Sequence, residues 1–521
     1  MKDDPPAQGG LALLTSRFSS LVSRFPYLVA FFLGAVTVLG YAPFYMVPLP
    51  VVTLAGLFYL WSQAPGPRAA ALSGFAYGLG LLLIGASWVY VSLHDFGSMP
   101  APLAVIATFL FCAIYALCPA AAGYACAWPR VSLAVRIGVL APAAWALADW
   151  ARGWLFTGFP WLATGYSQVP ESPLAGYAPV LGIYGVSLGV ALTAGLIVVL
   201  GLRAIIPRPA SLASTAILVA LWAGGWGLKQ VEWTTPVGAP VNVSLLQGNV
   251  SQDQKWRAER VRPTLETYRL LAESAPGELI ILPETALPLF LEQVPPDYLG
   301  ALAEIARQKR GDVLIGVPER TAGGEYYNSV VSVGTSPRQL YRKSHLVPFG
   351  EFIPLRPVLG WIVSVLAIPL QDFARGGEDQ RPLAVAGQRV AINICYEDVF
   401  GEEIIRQLPE ATVLVNVSNV AWFGRSLAPR QHLQIAQARA LETGRFMLRA
   451  TNTGLTAVVG PRGDLLAAAP EYEIATVTYA VQGYGGATPY VRWGNYAVLA
   501  LCVALIAAAG FLARRSARSA S

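Results

Sequence analysis

The sequence predicts a polytopic α-helical membrane domain of about eight spans joined to an extracytoplasmic α/β domain. Three observations carry that prediction. Of the 521 residues, 55% are hydrophobic and only 13% charged, against roughly 25% charged in an ordinary soluble domain. The apolar residues gather into runs long enough to cross a hydrocarbon core of about 30 Å. From about Lys229 to Tyr490, by contrast, charge density and turn content are those of a soluble domain with a core of its own. The net charge of +6 lies largely in short loops and tails beside apolar runs, which argues against nucleic acid as a partner.

The predicted spans are 27–46, 48–63, 70–93, 101–127, 133–151, 178–202, 210–228 and 494–513, the second of them short and the fifth carrying Asp149. Basic residues sort by side. Lys2, Arg17 and Arg24 precede the first span, Arg68 follows the second, and Arg130 and Arg136 flank the turn after the fourth. Arg203 and Arg208 follow the sixth, and Arg514, Arg515 and Arg518 follow the last. With eight spans these loops share one face, which the positive-inside rule makes cytoplasmic, together with both termini. The opposite face holds loops poor in Lys and Arg and the large domain. The expected organisation is therefore 1–228 with seven spans, 229–490 outside the cytoplasm, and 491–521 as a last span with a basic tail. No small-residue cleavage site follows the first apolar run, and the next span comes at once, so the first run counts as a span.

Within 229–490, short β-branched runs alternate with helical stretches. Strands are expected at Val241–Leu246, Leu279–Leu282, Val313–Val317, Asn328–Val333, Val390–Ile394, Thr412–Val417, Phe446–Ala450 and Thr456–Val459. Helices are expected at Pro263–Ser274, Pro296–Arg310 and Pro429–Thr443, where apolar residues recur at three- and four-residue spacing. Such alternation indicates a layered α/β domain.

Cys112, Cys118, Cys126 and Cys502 fall in apolar runs; Cys395 does not. Outside the cytoplasm a lone thiol normally pairs or oxidises, so Cys395 reads as a reagent. Glu284 follows the strand at Leu279–Leu282, Cys395 ends the strand at Val390–Ile394, and Lys343 sits in Tyr341-Arg342-Lys343-Ser344-His345. Acyl transfer needs a nucleophile, a base to take its proton, and a cation or N–H donors for the oxyanion. Cysteine, glutamate and lysine can fill those roles in that order. Taken singly, each has an ordinary reading: core filling for the cysteine, a turn residue for the glutamate, a solvated face for the lysine. His94, His345 and His432 lie far apart without ligand spacing and the cysteines offer no CxxC pair, so neither a metal nor another cofactor is expected. The Gly-Gly pairs lack the context of a phosphate-binding loop.

Together, Leu282-Pro283-Glu284, Tyr341-Arg342-Lys343-Ser344-His345-Leu346 and Ile394-Cys395-Tyr396-Glu397 resemble the three motifs of the nitrilase superfamily. Eight spans with this domain inserted before the last resemble, more narrowly, the apolipoprotein N-acyltransferase family. Leu246-Gln247-Gly248-Asn249, Leu346-Val347-Pro348-Phe349-Gly350-Glu351, Ala421-Trp422-Phe423-Gly424, Leu448-Arg449-Ala450-Thr451-Asn452, Arg152-Gly153-Trp154 and Gly158-Phe159-Pro160-Trp161 fit as well. Val420 stands where that family often has Asp, although Asn419 remains.

The resemblance implies a nitrilase-like αββα sandwich on the periplasmic side of a bacterial inner membrane. It implies that a phospholipid, typically phosphatidylethanolamine, acylates Cys395 as a thioester. The α-amine of a diacylglyceryl-cysteine at an apolipoprotein N-terminus then takes the acyl group, in a protein expected to be a monomer. Glu284 would be the base and later the acid, and Lys343 would hold the oxyanion with the N–H of Tyr396. Glu351 and Glu397 would support the triad, and Trp256 and Trp422 would contact substrate.

The run from Pro357 to Leu370 has no acidic or basic residue and is too short to span. It reads either as an interfacial lid or entry arm, or as a buried helix. Trp154, Phe156, Phe159, Trp161 and Tyr166 read as an interfacial belt or as the lining of an acyl-chain groove. Two other functions share parts of this pattern. A membrane-anchored amidase would end the same thioester with water. A transporter or receptor would need paired charges within its spans, and only Asp149 and Arg152 near one span's end qualify.

Overall fold

The computed structural model describes residues 24–128, 131–204, 206–354 and 372–518, with side chains to residue 513. The run from Pro357 to Leu370 lies outside the described residues.

Every predicted span coincides with a helix: α1 (Pro26–Thr37), α2 (Pro48–Gln63), α3 (Pro67–Gly85), α4 (Ala101–Ala127), α5 (Ala141–Arg152), α6 (Ala178–Gly201), α7 (Arg208–Leu228) and, after the soluble part, α11 (Tyr496–Arg518). Proline occupies the first turn of α1 to α7, where a missing N–H costs nothing. Among the described residues six helices are long and apolar enough to cross a membrane, α5 being counted from Leu133 with the helical turns that run directly into it, whereas α1 with its 3₁₀ extension ends at Gly40 and α2 has 16 residues. The first predicted span is thus shorter than its apolar run, because the chain turns at Tyr41–Phe44.

Small residues let these helices touch. A Cβ on Gly34 would stand 1.9 Å from the Tyr77 carbonyl oxygen, and one on Gly80 2.0 Å from that of Phe31, so α1 and α3 meet backbone to backbone. Outward faces are apolar: Val105, Leu110 and Leu117 of α4, and Leu212 and Val219 of α7, are each more than half exposed, as lipid-facing residues should be.

The soluble part is two six-stranded mixed sheets. The first runs β12-β1-β2-β3-β4-β5 and the second β11-β10-β9-β8-β7-β6. The strands are β1 (Thr235–Gln247), β2 (Leu279–Ile281), β3 (Asp312–Arg320), β4 (Tyr326–Gly334), β5 (Leu340–Arg342), β6 (Leu383–Val385), β7 (Gln388–Ile394), β8 (Val413–Ser418), β9 (Met447–Thr451), β10 (Ala457–Val459), β11 (Leu465–Ala468) and β12 (Ala475–Gly485). In each sheet the three central strands, β1-β2-β3 or β7-β8-β9, are parallel and the flanking pairs antiparallel.

Two-residue alternation divides the side chains between layers. Val243, Leu245, Ile281, Ile392, Val415 and Leu448 meet between the sheets. Leu246, Ile280, Val313 and Ile315 pack outward on α8 (Ala258–Ser274) and α9 (Pro296–Gln308). Ala391, Leu414 and Met447 pack outward on α10 (Ala428–Thr443). The layers are therefore helix, sheet, sheet, helix, as expected. α10 is buried on both sides: Leu433, Ala436 and Ala440 face the sheet, while Ile435, Ala438 and Leu441 join the core of the membrane helices. That double burial makes one body of the two parts.

Candidate active site

Each candidate residue stands just beyond a strand whose partners fix its position. Glu284 follows β2, Lys343 follows β5 and Cys395 follows β7, the strand ends at which open α/β sheets place their ligands.

The Glu284 carboxylate is 7% exposed and held at both oxygens. Oε1 accepts from Asn328 Nδ2 at 2.7 Å, and Oε2 accepts the Asn419 backbone N–H at 2.7 Å. The Lys343 ammonium lies 3.7 Å from Glu284 Oε1 and donates to Glu351 Oε1 at 2.9 Å. Asn328 Nδ2 also reaches Glu351 Oε1 at 3.1 Å, so a single carboxamide spans the two carboxylates. The other Glu351 oxygen accepts the Val347 N–H at 2.9 Å, tying it to its own loop. Burial opposes the Lys343 charge, but Glu351 and Glu284 outweigh burial and hold its pKa above the ordinary value. Lys343 is therefore a permanent cation.

Cys395 is half-buried and begins the 3₁₀ turn Cys395–Val399, with φ of +53°. A non-glycine residue held there stores about 1–3 kcal/mol and persists only where its surroundings over-determine it. A register ladder does this. Asn393, Asn416 and Arg449 are direct partners across β7, β8 and β9. Asn416 Nδ2 donates to the Cys395 carbonyl at 3.0 Å and to Asn393 Oδ1 at 2.6 Å. Arg449 donates to Asn416 Oδ1 at 2.7 Å and to Asp398 Oδ2 at 3.1 Å. Burial and the Glu284 carboxylate push the Cys395 thiol well above its ordinary pKa, against the pull of Lys343. A thiol so placed is neutral at rest and becomes nucleophilic only as its proton leaves to a base.

Glu397 joins the lysine loop to the cysteine turn. Oε1 accepts the N–H groups of Ser344 at 2.6 Å and His345 at 3.1 Å. Oε2 accepts the Ile394 N–H at 2.6 Å and the Tyr341 hydroxyl at 3.0 Å. Burial raises this carboxyl to about 7, although the Ile394 N–H and Lys343 pull it down.

Tyr396 points the other way, its hydroxyl donating to the Gly158 carbonyl at 2.9 Å. Gly158 belongs to the segment after α5, which a buried ion pair anchors. Arg152 bonds Asp149 at 3.0 Å and donates to the carbonyls of Phe159 and Trp161, while Asp149 Oδ2 accepts the Thr164 N–H at 2.7 Å. The charged pair at this span's end thus shapes the surface on which the cysteine turn rests. The aromatic group divides as well. Phe159, Trp161 and Tyr166 are buried and serve packing, with Trp161 among Trp88, Phe423 and His432; Trp154 and Phe156 are 50% and 71% exposed.

The structure thus gathers Glu284, Lys343, Cys395, Glu351 and Glu397 into one cluster. Trp256 and Trp422 are outward-facing, 54% and 41% exposed, and Trp422 follows Asn419 in the turn Val420–Phe423. Val420 is buried beside Gly454, so an apolar residue fits that position. Asn328, Asn416 and Arg449 carry much of the geometry. In the sequence Arg449 stands out only as part of a family segment, and no spacing announces Asn328 and Asn416. Their one signal is a polar residue inside a run that is otherwise core.

Residues 242–490 match the family described as carbon-nitrogen hydrolase, so this is a membrane-embedded enzyme of the nitrilase superfamily. Residues 33–196 match the apolipoprotein N-acyltransferase N-terminal domain. The apolipoprotein N-acyltransferase of Nitrosomonas europaea is 54% identical over 495 residues, covering 95% of this chain and 98% of that protein. Those of Chromobacterium violaceum and Methylococcus capsulatus are 45% and 44% identical, covering 92% and 93% of this chain and 92% and 96% of theirs. The chain belongs to the apolipoprotein N-acyltransferase family.

Proposed function

We propose that this protein moves an acyl chain from a phospholipid, through a thioester on Cys395, to the N-terminal amine of a diacylglyceryl-modified apolipoprotein. The observation that carries the reading is the joining of the carboxylate–lysine–cysteine cluster to the membrane helices through Tyr396 and Gly158. A thiol at that junction meets substrates that reside in a bilayer. The likeness to relatives extends through the membrane half, at 95% of the chain, which favours acyl transfer over an amidase ending its thioester with water.

In the first half-reaction Glu284 takes the Cys395 proton as sulfur attacks the donor's ester carbonyl. Lys343, cationic under the hold of Glu351, stabilises the tetrahedral oxyanion with the N–H of Tyr396. The ester C–O bond breaks, and the departing alkoxide takes the proton from Glu284 and leaves as a lysophospholipid. In the second half-reaction the acceptor amine attacks the thioester and Glu284 receives its proton. The C–S bond then breaks, the proton returns to sulfur, and an amide remains on the lipoprotein. Asn328 and the Asn419 N–H keep Glu284 in place through both transfers. The exposed indoles of Trp256 and Trp422 contact substrate, and the cluster faces the periplasm with both termini in the cytoplasm.

Incubation of the purified protein with phosphatidylethanolamine should leave one acyl mass on Cys395 that hydroxylamine removes. Absence of that adduct, with activity retained in Cys395→Ala, would refute the mechanism. A membrane-impermeant maleimide should label Cys395 in intact spheroplasts; labelling only after lysis would reverse the orientation.

A further inference from the structure

One buried cation has no part in that reaction. Lys255, in the loop between β1 and α8, is 2% exposed. Its Nζ donates to Thr285 Oγ1 at 2.6 Å and to the Glu284 backbone carbonyl at 3.4 Å. Thr285 holds φ of +44°, an outlier for a β-branched residue. The two residues bonded by Lys255 are thus the proposed base and a strained neighbour. Strain of this kind persists only when something fixes it, and here the fixing group is an ammonium. Two carboxylates, Glu284 and Glu351, face the single ammonium of Lys343; Lys255 brings a second positive charge to the backbone side of Glu284. Burial lowers its pKa to about 8, with Glu284 opposing the fall.

The same loop is tied to Glu284 a second way. Asn419, whose N–H holds Glu284 Oε2, donates from its side chain to Gln252 Oε1 at 2.8 Å. Trp256 leaves the loop next to Lys255 and stands exposed. The root of that indole and the base therefore share one anchor.

We infer that Lys255 is a positioning residue for acyl transfer: its ammonium clamps the strained Glu284–Thr285 turn and sets a positive charge behind Glu284. This rests on Glu284 acting as the base. The other charged groups around Glu284 are Lys343 and Glu351 beyond β5, Cys395 at the end of β7, and Arg449 on β9. Asp253 and Arg257 of the Lys255 loop are exposed to solvent.

The test is Lys255→Met in the full-length protein, with single-turnover acylation of Cys395 by phosphatidylethanolamine followed by mass against pH. The substitution leaves the Glu284 carbonyl and the Thr285 hydroxyl without this donor, so the thermal midpoint should fall, while well below it the protein stays folded. Acylation should nevertheless slow by about 10- to 100-fold, the cost of a misplaced catalytic group. The acidic limb of the rate profile should move to higher pH, because a carboxylate that loses a neighbouring cation binds its proton more tightly. A wild-type rate and limb would overturn the inference, as would a slower rate with the acidic limb unmoved. Wild-type protein and Glu284→Gln run alongside. If wild type forms no thioester, or Glu284→Gln forms it normally, the reaction scheme fails. If both behave as expected, a normal Lys255→Met removes only the role of Lys255.

Discussion

Glu397→Gln separates two effects of one buried carboxyl. The side chain is 3% exposed and accepts four donors: Ser344 N–H, His345 N–H, Ile394 N–H and the Tyr341 hydroxyl. Its folded pKa is about 7 against an ordinary 4.5. At about 1.36 kcal/mol per pH unit, that difference corresponds to about 3 kcal/mol. The folded pKa is raised, so the unfolded chain releases this proton first. Its contribution to stability is complete below pH 4.5 and is lost as pH rises through about 7.

Glutamine keeps the shape and does not titrate. Its amide nitrogen faces Tyr341 and Ile394 at least cost, since the phenol can rotate to accept. The Ile394 N–H then lacks an acceptor, a loss of about 1–3 kcal/mol. At pH 5 the variant should therefore be less stable than wild type by that amount. By pH 8.5 wild type has given up its share, and the gap should close or reverse. Chemical unfolding of the detergent-solubilised protein at the two pH values measures this directly. The acylation rate should fall at pH 8.5, where the Lys343 loop loses a charged acceptor at Ser344 and His345, and less at pH 5, where the wild-type carboxyl is already neutral. Equal pH slopes in the two proteins would refute the assignment of the titration to Glu397.

Other substitutions probe the neighbouring contacts. Asn328→Asp sets a third carboxylate beside Glu284 and Glu351, and at about 3 Å with an effective dielectric of 20 each like pair costs on the order of 5 kcal/mol. The cluster should bind an extra proton, and acylation should fall at least tenfold near neutral pH; a normal rate would deny the bridging role. Tyr396→Phe leaves the Gly158 carbonyl without its donor and should lower stability by about 1–3 kcal/mol, read as a lower thermal midpoint. Gly182→Ala meets both a φ of +68° and a Tyr490 ring carbon 2.3 Å from the new Cβ. It should destabilise the protein by about 2–4 kcal/mol, and a wild-type midpoint would mean that α6 straightens at no cost.

Much of the fold was readable in the chain. The spans show because backbone in lipid must satisfy itself, which demands long unbroken apolar helices. Buried strands such as β7 and β8 show through their β-branched residues, and all eight predicted strands are present. The strands that escaped detection, β5, β6, β11 and β12, are short or lie at sheet edges, where burial is partial and alternation weak. Glu284 and Cys395 were legible because each follows a predicted strand within a family motif, and Lys343 was legible through its motif alone. Asn328 and Lys255 were not, since a single asparagine or lysine has no periodicity and its burial is set by elements far away in sequence.

The chain by itself determined which segments enter the membrane, which form sheet, and which residue types are present for acyl transfer. Those properties follow from local composition and from backbone hydrogen-bonding demands, which act over tens of residues at most. Only the tertiary structure decided how three strand ends from two sheets meet. It also decided that the Cys395 turn rests on a segment held by Asp149 and Arg152. The charge state of the thiol, the permanence of the Lys343 cation and the clamp on Glu284 all depend on distance and burial, and these exist only once the chain has closed on itself.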